Sequence, residues 1–248
     1  MEKITSLSNN YIKELMLLKN KKIRDEKKEF LVEGFHLVEE AKNFNKLKCV
    51  LITNENDKID GVRNIFVNDA IISKLSSTVN PQKIIGVCHG GYLERIEGDR
   101  FVLLDNLQDP GNLGTIIRSA LGFKIDQIIM SPTCCDCYNE KVVRSTQGGV
   151  FKVGLVKQDL LSAISELKNM GVTILGTSLT GEVFDKLPKL NKYAIILGNE
   201  ANGVREDLLN KADLKVKIPM LGKTESLNAS VAASIMMYEY TRQKITKM

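Results

Sequence analysis

Three separated stretches of this chain combine small, backbone-exposing residues with amide, carboxylate and guanidinium side chains. The first is Asp109-Pro110-Gly111-Asn112-Leu113-Gly114, with Arg118 one helical turn beyond Gly114. The second is Leu197-Gly198-Asn199-Glu200-Ala201-Asn202-Gly203, and the third runs from Ile218-Pro219-Met220 to Ser226-Leu227-Asn228-Ala229-Ser230. They sit at the ends of apolar segments, where an open α/β sheet builds a ligand site. Pro110-Gly111 makes a turn, and Asn112 is expected to cap the helix that follows. Gly114 and Arg118 are four residues apart and share a helix face, so the glycine leaves the guanidinium open to a bulky anion. Gly198 would let a ligand approach the main chain closely. Ser226 or Asn228 can cap a terminal helix. Any one block also suits an ordinary capped turn; the set points to a site.

The elements that position these blocks follow from periodicity. Phe101-Val102-Leu103-Leu104 is a near-continuous apolar run, as expected of a strand buried on both faces of a sheet. A helix from Leu113 to Leu121 follows, then a strand at Gln127 to Met130, a helix near Glu140 to Thr146 and a strand from Phe151 to Leu155. Helix Leu160 to Asn169, strands Val172 to Gly176 and Tyr193 to Leu197, and a terminal helix to Arg242 complete the series. Such alternation predicts a mostly parallel sheet flanked by helices. Upstream, one long helix is expected from Ser8 to Lys28. Strands are expected at Phe30 to Val32, Cys49 to Ile52, Ile65 to Val67 and Ile84 to Cys88, with a helix through Ala41. Gly90-Gly91 and the charges from Glu94 to Arg100 mark a boundary, placing domains at 1–92 and 98–248.

Composition narrows the classes. The chain has 248 residues, 43% hydrophobic and 26% charged, which is ordinary for a globular protein. A net charge of +5 mildly favours a polyanionic partner. Lys21, Lys22, Lys27 and Lys28 form the core of a basic stretch that reads either as a solvated helix face or as a phosphate-tracking surface. The N-terminus lacks an apolar signal region and no apolar run reaches a membrane span, so a cytoplasmic protein is expected. Cys134-Cys135-Asp136-Cys137 lacks a second ligand pair at a matching spacing; reduced thiols are expected there, and no metal. No G-x-G-x-x-G follows a strand. Gly222-Lys223-Thr224 imitates the end of a P-loop, but Lys217 stands where its leading glycine belongs, and no G-x-S-x-G is present.

Jointly, the three blocks resemble the motifs of the SpoU (TrmH-like) RNA ribose methyltransferases of the SPOUT superfamily, over about Phe101 to Tyr240. The N-terminal part, notably Phe30-Leu31-Val32-Glu33-Gly34, resembles the small L30e-like α/β substrate-binding domain found in many members. The resemblance implies a C-terminal α/β domain with a deep trefoil knot that holds S-adenosylmethionine largely through main-chain groups. It implies cofactor contacts at Thr177, Ser178, Gly198, Asn199, Glu200, Gly203, Ile218, Met220, Leu227, Asn228 and Ala229. The family's motif residues fall on Asn112, Arg118, Glu200 and Asn228, the catalytic candidates. The Cys134 to Cys137 loop departs from the family pattern, although Tyr138 and Asn139 preserve part of it.

The implied reaction is methyl transfer to a ribose 2′-hydroxyl in structured RNA, ribosomal in preference to transfer RNA. A guanidinium is a poor proton acceptor, so Arg118 is read as a clamp on RNA phosphate and a stabiliser of alkoxide charge. The resemblance also implies a homodimer. The apolar terminal helix supports one, with Ala233 and Met237 expected at the subunit interface. A non-catalytic RNA-binding protein on the same fold is the second reading, and a base methyltransferase of a related knotted family the third.

Overall fold

In the computed structural model the described residues are 2–183, 188–223 and 226–245, so Thr224 of the P-loop-like stretch lies outside them. The chain divides into two compact units, Met1–Gly91 with Asp136–Lys152, and Tyr92–Cys135 with Val153–Met248.

In the first unit the chain forms β1 (Glu2–Ile4), α1 (Asn10–Leu17), α2 (Lys21–Lys27), β2 (Glu29–Glu33) and α3 (Phe35–Asn43). It continues through β3 (Leu47–Ile52), β4 (Arg63–Val67), α4 (Asp69–Leu75) and β5 (Ile84–His89). The sheet order is β1-β4-β3-β5-β2; β5 runs antiparallel to both its neighbours and the other pairs are parallel. Ile12, Leu15 and Leu18 pack with Leu51, Ile65, Ile71, Ile72 and Leu75 in one apolar cluster. The expected long helix is two helices. Asn20 caps the second by accepting the Lys22 N–H at 2.9 Å, and Arg24 folds back to donate to the carbonyls of Leu18 at 2.7 Å and Lys19 at 2.9 Å. The polar pattern runs on through this break; the carbonyls of Leu15, Met16 and Leu17 accept the N–H groups of Leu18, Lys19 and Asn20 in a tightened last turn, and the Arg24 guanidinium takes the next two carbonyls.

The later segment adds a helix at Glu140–Thr146 to this unit. Arg24 donates to Asp136 Oδ2 from Nε at 2.9 Å and Nη2 at 2.5 Å, with the two side chains 7% and 6% exposed. Tyr138 lies against Phe30, ring centroids 4.7 Å apart, and its hydroxyl donates to Gly91 O at 2.6 Å.

The second unit contains β6 (Arg100–Leu104), α5 (Pro110–Gly122) and β7 (Gln127–Met130); the Glu140–Thr146 helix counts as α6 in chain order. Then come β8 (Gly154–Lys157), α7 (Leu160–Asn169), β9 (Thr173–Val183), β10 (Tyr193–Leu197), α8 (Glu206–Leu209), β11 (Leu214–Lys217) and α9 (Ala229–Ile245). Its sheet has the order β11-β9-β10-β6-β7-β8 with every neighbour parallel, in agreement with the expected parallel α/β architecture. The strand expected at Phe151 to Leu155 is a 3-10 turn, Gly149–Phe151, followed by β8. All residues of β7 and β10 are buried, as the uninterrupted apolar runs require. From β6 the chain winds outward to β7 and β8, then returns to the other side of β6 for β9, β10 and β11. The neighbouring carboxyl ends of β6 and β10 therefore form a topological switch point, where sheets of this kind open a crevice.

Ala233 and Met237, expected at a subunit interface, are both 0% exposed within the chain itself. On α9 it is Val231 and Tyr238 that face outward, 46% and 53% exposed. Among the described residues no helix is long and apolar enough to cross a membrane, and no group of three or more His, Cys, Asp or Glu side chains could hold a metal.

Candidate functional site

At the start of α5 the cap is Asp109, not Asn112. Asp109 Oδ1 accepts the Asn112 N–H at 2.7 Å, and Pro110 fills the first helical position, where a missing N–H costs nothing. The Asp-Pro pair with Asn112 three residues into the turn is the sequence signal for this arrangement. Displaced from the cap, Asn112 is 8% exposed and its amide turns toward the turn after β10. Asn112 Nδ2 donates to Glu200 Oε1 at 3.1 Å, which also accepts the Asp109 N–H at 3.3 Å. Asn228 Nδ2 donates to Asn112 Oδ1 at 2.9 Å. Asn228 Oδ1 in turn accepts from Ser230 N at 2.9 Å, Ser230 Oγ at 2.7 Å and Val231 N at 3.3 Å, capping α9.

This chain of bonds has one direction. An ionised carboxylate only accepts, so Asn112 must present its NH2 to Glu200 and its oxygen to Asn228. Asn228 must then present its NH2 to Asn112 and its oxygen to the helix N–H groups. Both amides are fixed, and each bond polarises the next. Burial alone would raise the Glu200 pKa; the Asn112 amide and the main-chain N–H groups of Glu200, Asp109 and Gln108 outweigh it, and the carboxyl is held below its ordinary value.

The turn bearing Glu200 is closed on itself. Asn199 N donates to Gly203 O at 3.0 Å, Gly203 N donates to Asn199 O at 2.9 Å, and Gly203 has φ 68°. A Cβ on Gly198 would stand 2.0 Å from the Gly203 carbonyl carbon. The glycine is required by the chain's own backbone, before any ligand is considered.

Arg118 is exposed on α5 and makes no hydrogen bond or ion pair with a described residue, whereas Gly114 is buried. The structure thus bonds Asn112, Glu200 and Asn228 together and leaves Arg118 on the same helix as Asn112 but outside that network. Pairing of β9 with β10 ends at Gly176 and Ile196, so Thr177 and Ser178 come level with the carboxyl end of β10; Thr177 Oγ1 donates to Ile196 O at 2.8 Å. Ile218, half-buried, and Met220, 37% exposed, follow β11 at the same edge of the sheet. Leu227 and Ala229 flank Asn228, both half-buried. Cys134 is buried and donates to Leu104 O at 3.2 Å, and burial pushes its thiol pKa up. In the other unit Lys21, Lys22, Lys27 and Lys28 are all exposed, with Lys27 paired to Glu14 at 2.8 Å and Lys22 3.9 Å from Glu26.

Comparison with known proteins gives two family matches: residues 99–238 fit the SpoU rRNA Methylase family, and residues 9–86 the MRM3-like substrate binding domain. The 23S rRNA (guanosine(2553)-2'-O)-methyltransferase RlmP of Bacillus subtilis is 37% identical over 244 residues, covering 96% of this chain and 98% of that protein. The crystal structure of an AdoMet-bound rRNA methyltransferase from Sinorhizobium meliloti superimposes with a TM-score of 0.88 at 31% identity, covering 98% of both chains. The SpoU methyltransferase AviRb of Streptomyces viridochromogenes shares the fold, with a TM-score of 0.86 at 24% identity over 96% of this chain and 99% of its own.

Proposed function

This chain belongs to the SpoU rRNA methylase family, and from that premise we propose that it transfers the methyl group of S-adenosylmethionine to a ribose 2′-hydroxyl of bacterial ribosomal RNA, in the cytoplasm. The observation that carries the reading is the Glu200–Asn112–Asn228 relay, which joins all three sequence blocks at the switch point.

The residues present fit such a donor. Half-buried Ile218 and Leu227, with exposed Met220, offer apolar surface for an adenine, and the turn from Gly198 to Gly203 and residues Thr177, Ser178, Asn199 and Ala229 supply main-chain and small polar groups. S-adenosylmethionine brings a methyl group already activated on sulfonium, so the protein's work is chiefly placement. Arg118, exposed and without a described partner, clamps the phosphate beside the target ribose and stabilises charge developing on the 2′-oxygen. The hydroxyl proton leaves to that phosphate or to solvent. Glu200 and Asn112 orient the ribose, and Asn228 holds the start of α9 against them. In this reading the C-terminal part of the domain threads a trefoil knot, a rare topology, and the packing of α9 on α5 supports it. Lys21, Lys22, Lys27 and Lys28 track RNA phosphates.

Calorimetry with S-adenosylmethionine, together with mapping of 2′-O-methyl sites in RNA from cells with and without the gene, tests the whole. No binding at millimolar donor would leave a non-catalytic RNA binder, and a methyl found on a nucleobase would replace the ribose target. The protein also works as a homodimer through the outward face of α9. Val231→Arg with Tyr238→Arg should yield a monomer by sedimentation, and an unchanged mass would remove that face from the interface.

A further inference from the structure

Two consecutive residues after β6, outside the set that the motifs point to, fasten the turn that carries Glu200. Asp105 is 2% exposed; its Oδ2 accepts the Arg205 N–H at 3.0 Å and its Oδ1 lies 3.5 Å from Arg205 Nε. Its own N–H donates to Leu197 O at 2.9 Å, at the last residue of β10. Asn106 follows in the left-handed region, at φ 54°. Its carbonyl accepts Asn199 Nδ2 at 2.9 Å, its N–H donates to Ser131 Oγ at 3.0 Å, and its Oδ1 accepts Gln108 Nε2 at 2.7 Å. Both ends of the Glu200 turn, Asn199 and Arg205, are thus tied to this pair, and Ser131 brings in the loop after β7.

An ordinary connection needs none of this. Burying a carboxylate is unfavourable unless it is bonded and paired, and positive φ is unfavourable for a residue with a side chain, although asparagine tolerates it best. Both unfavourable features fall on adjacent residues, at the point where three loops meet on the carboxyl edge of the sheet. Strain held by so many bonds is characteristic of places where geometry matters more than stability.

We infer that Asp105 and Asn106 are positioning residues for methyl transfer, setting where Glu200, and through it Asn112 and Asn228, stand beside the donor. The inference rests on the proposed function. Neither residue needs to touch substrate; each acts through the turn.

The test compares Asp105→Ala, Asp105→Asn, Asn106→Gly and Asn106→Val in the full chain. Three quantities are read: amide exchange at Gly203 and Arg205 without ligand, S-adenosylmethionine affinity, and kcat against KM. In Asp105→Ala the Arg205 amide should exchange at least ten-fold faster, and kcat should fall at least ten-fold with a smaller change in KM for RNA. Asp105→Asn keeps an acceptor for the Arg205 N–H and should recover a large part of the loss. Asn106→Gly accepts the positive φ and keeps the main-chain bonds, so its kcat should fall at least five-fold less than that of Asn106→Val. Native kcat and donor affinity in a folded Asp105→Ala protein would overturn the inference. Should Asp105→Ala not fold, equal kcat in the two Asn106 variants would overturn it instead. Unchanged exchange at Gly203 and Arg205 in every variant would overturn the clamp without reference to activity. Failure of the wild-type protein to bind the donor would count against the proposed function alone.

Discussion

Arg24 in the first unit and Arg118 in the second both lie on helices, and the two units treat them in opposite ways. Arg24 is 7% exposed and divides its donors among Asp136, Leu18 and Lys19. Arg118 is exposed and has no described partner. The same contrast holds for the amides. Asn9, Asn20, Asn54 and Asn68 in the first unit each cap a helix or turn, whereas Asn112 is displaced from its cap by Asp109 and joined to Glu200 and Asn228. In the first unit polar side chains mostly complete the fold. In the second, the backbone is already satisfied by Asp109 and by the closed turn after β10, which leaves an amide relay and a cation without a described partner.

The largest effect should come from Arg118. Arg118→Ala should leave thermal unfolding and donor binding near native while cutting methyl transfer by roughly two orders of magnitude or more. Retention of more than a tenth of the rate, a loss below ~1.4 kcal/mol of barrier, would end its catalytic role.

Arg24 should behave in reverse. Arg24→Met leaves the Asp136 carboxylate buried and unpaired, which costs about 3–5 kcal/mol of stability. Adding Asp136→Leu should restore much of it, because an apolar pair avoids the desolvation that the ion pair must overcome. Denaturant unfolding of the single and double variants checks this; equal stabilities would mean that the pair is not the tie between α2 and the later segment.

A third experiment asks whether the first unit's surface does bind. Replacing Lys21, Lys22, Lys27 and Lys28 with Gln should weaken RNA binding and lower its salt dependence, by up to roughly 0.9 in log–log slope for each phosphate no longer neutralised. Donor affinity should not move. An unaltered slope would make these lysines a solvated helix face.

The smallest effect concerns Glu200. Its pKa is lowered in the fold, so its charge adds to stability in full above the ordinary glutamate value of about 4.3, and the gain is lost as pH falls through the lower folded value. The difference in unfolding midpoint between wild type and Glu200→Gln should therefore be steady near neutrality and shrink on acidification. A difference that grew toward acid would mean that the relay is not built on a carboxylate.

Much of the second unit was legible because its strands are long apolar runs bounded by turn residues: β7, α7 and β10 stand where periodicity places them, as does α6 in the first. Short or alternating elements were not. β11, Leu-Lys-Val-Lys, and α8 at Glu206–Leu209 offer too few residues for a period to show, and β1 is three residues long. The break after Leu17 was hidden because both helices continue the same polar pattern, and the guanidinium that takes the carbonyls of the break, Leu18 and Lys19, has its other partner 112 residues away.

By itself the sequence determined the parallel α/β architecture of the second unit and the family, and it singled out Asn112, Arg118, Glu200 and Asn228 as candidates. Local propensity and apolar spacing act over a few residues, and motifs survive as strings. Tertiary structure decided which of these residues bond and which stay free. Asp109 out-competes Asn112 for the cap, Gly198 is already required by the Gly203 backbone, and Ala233 and Met237 are enclosed by the chain itself. In sequence Arg24 lies among charged residues and Arg118 among apolar ones, yet it is Arg24 that is buried. They differ because one meets a buried carboxylate brought from a distant loop and the other meets solvent, a distinction that exists only once the chain has folded.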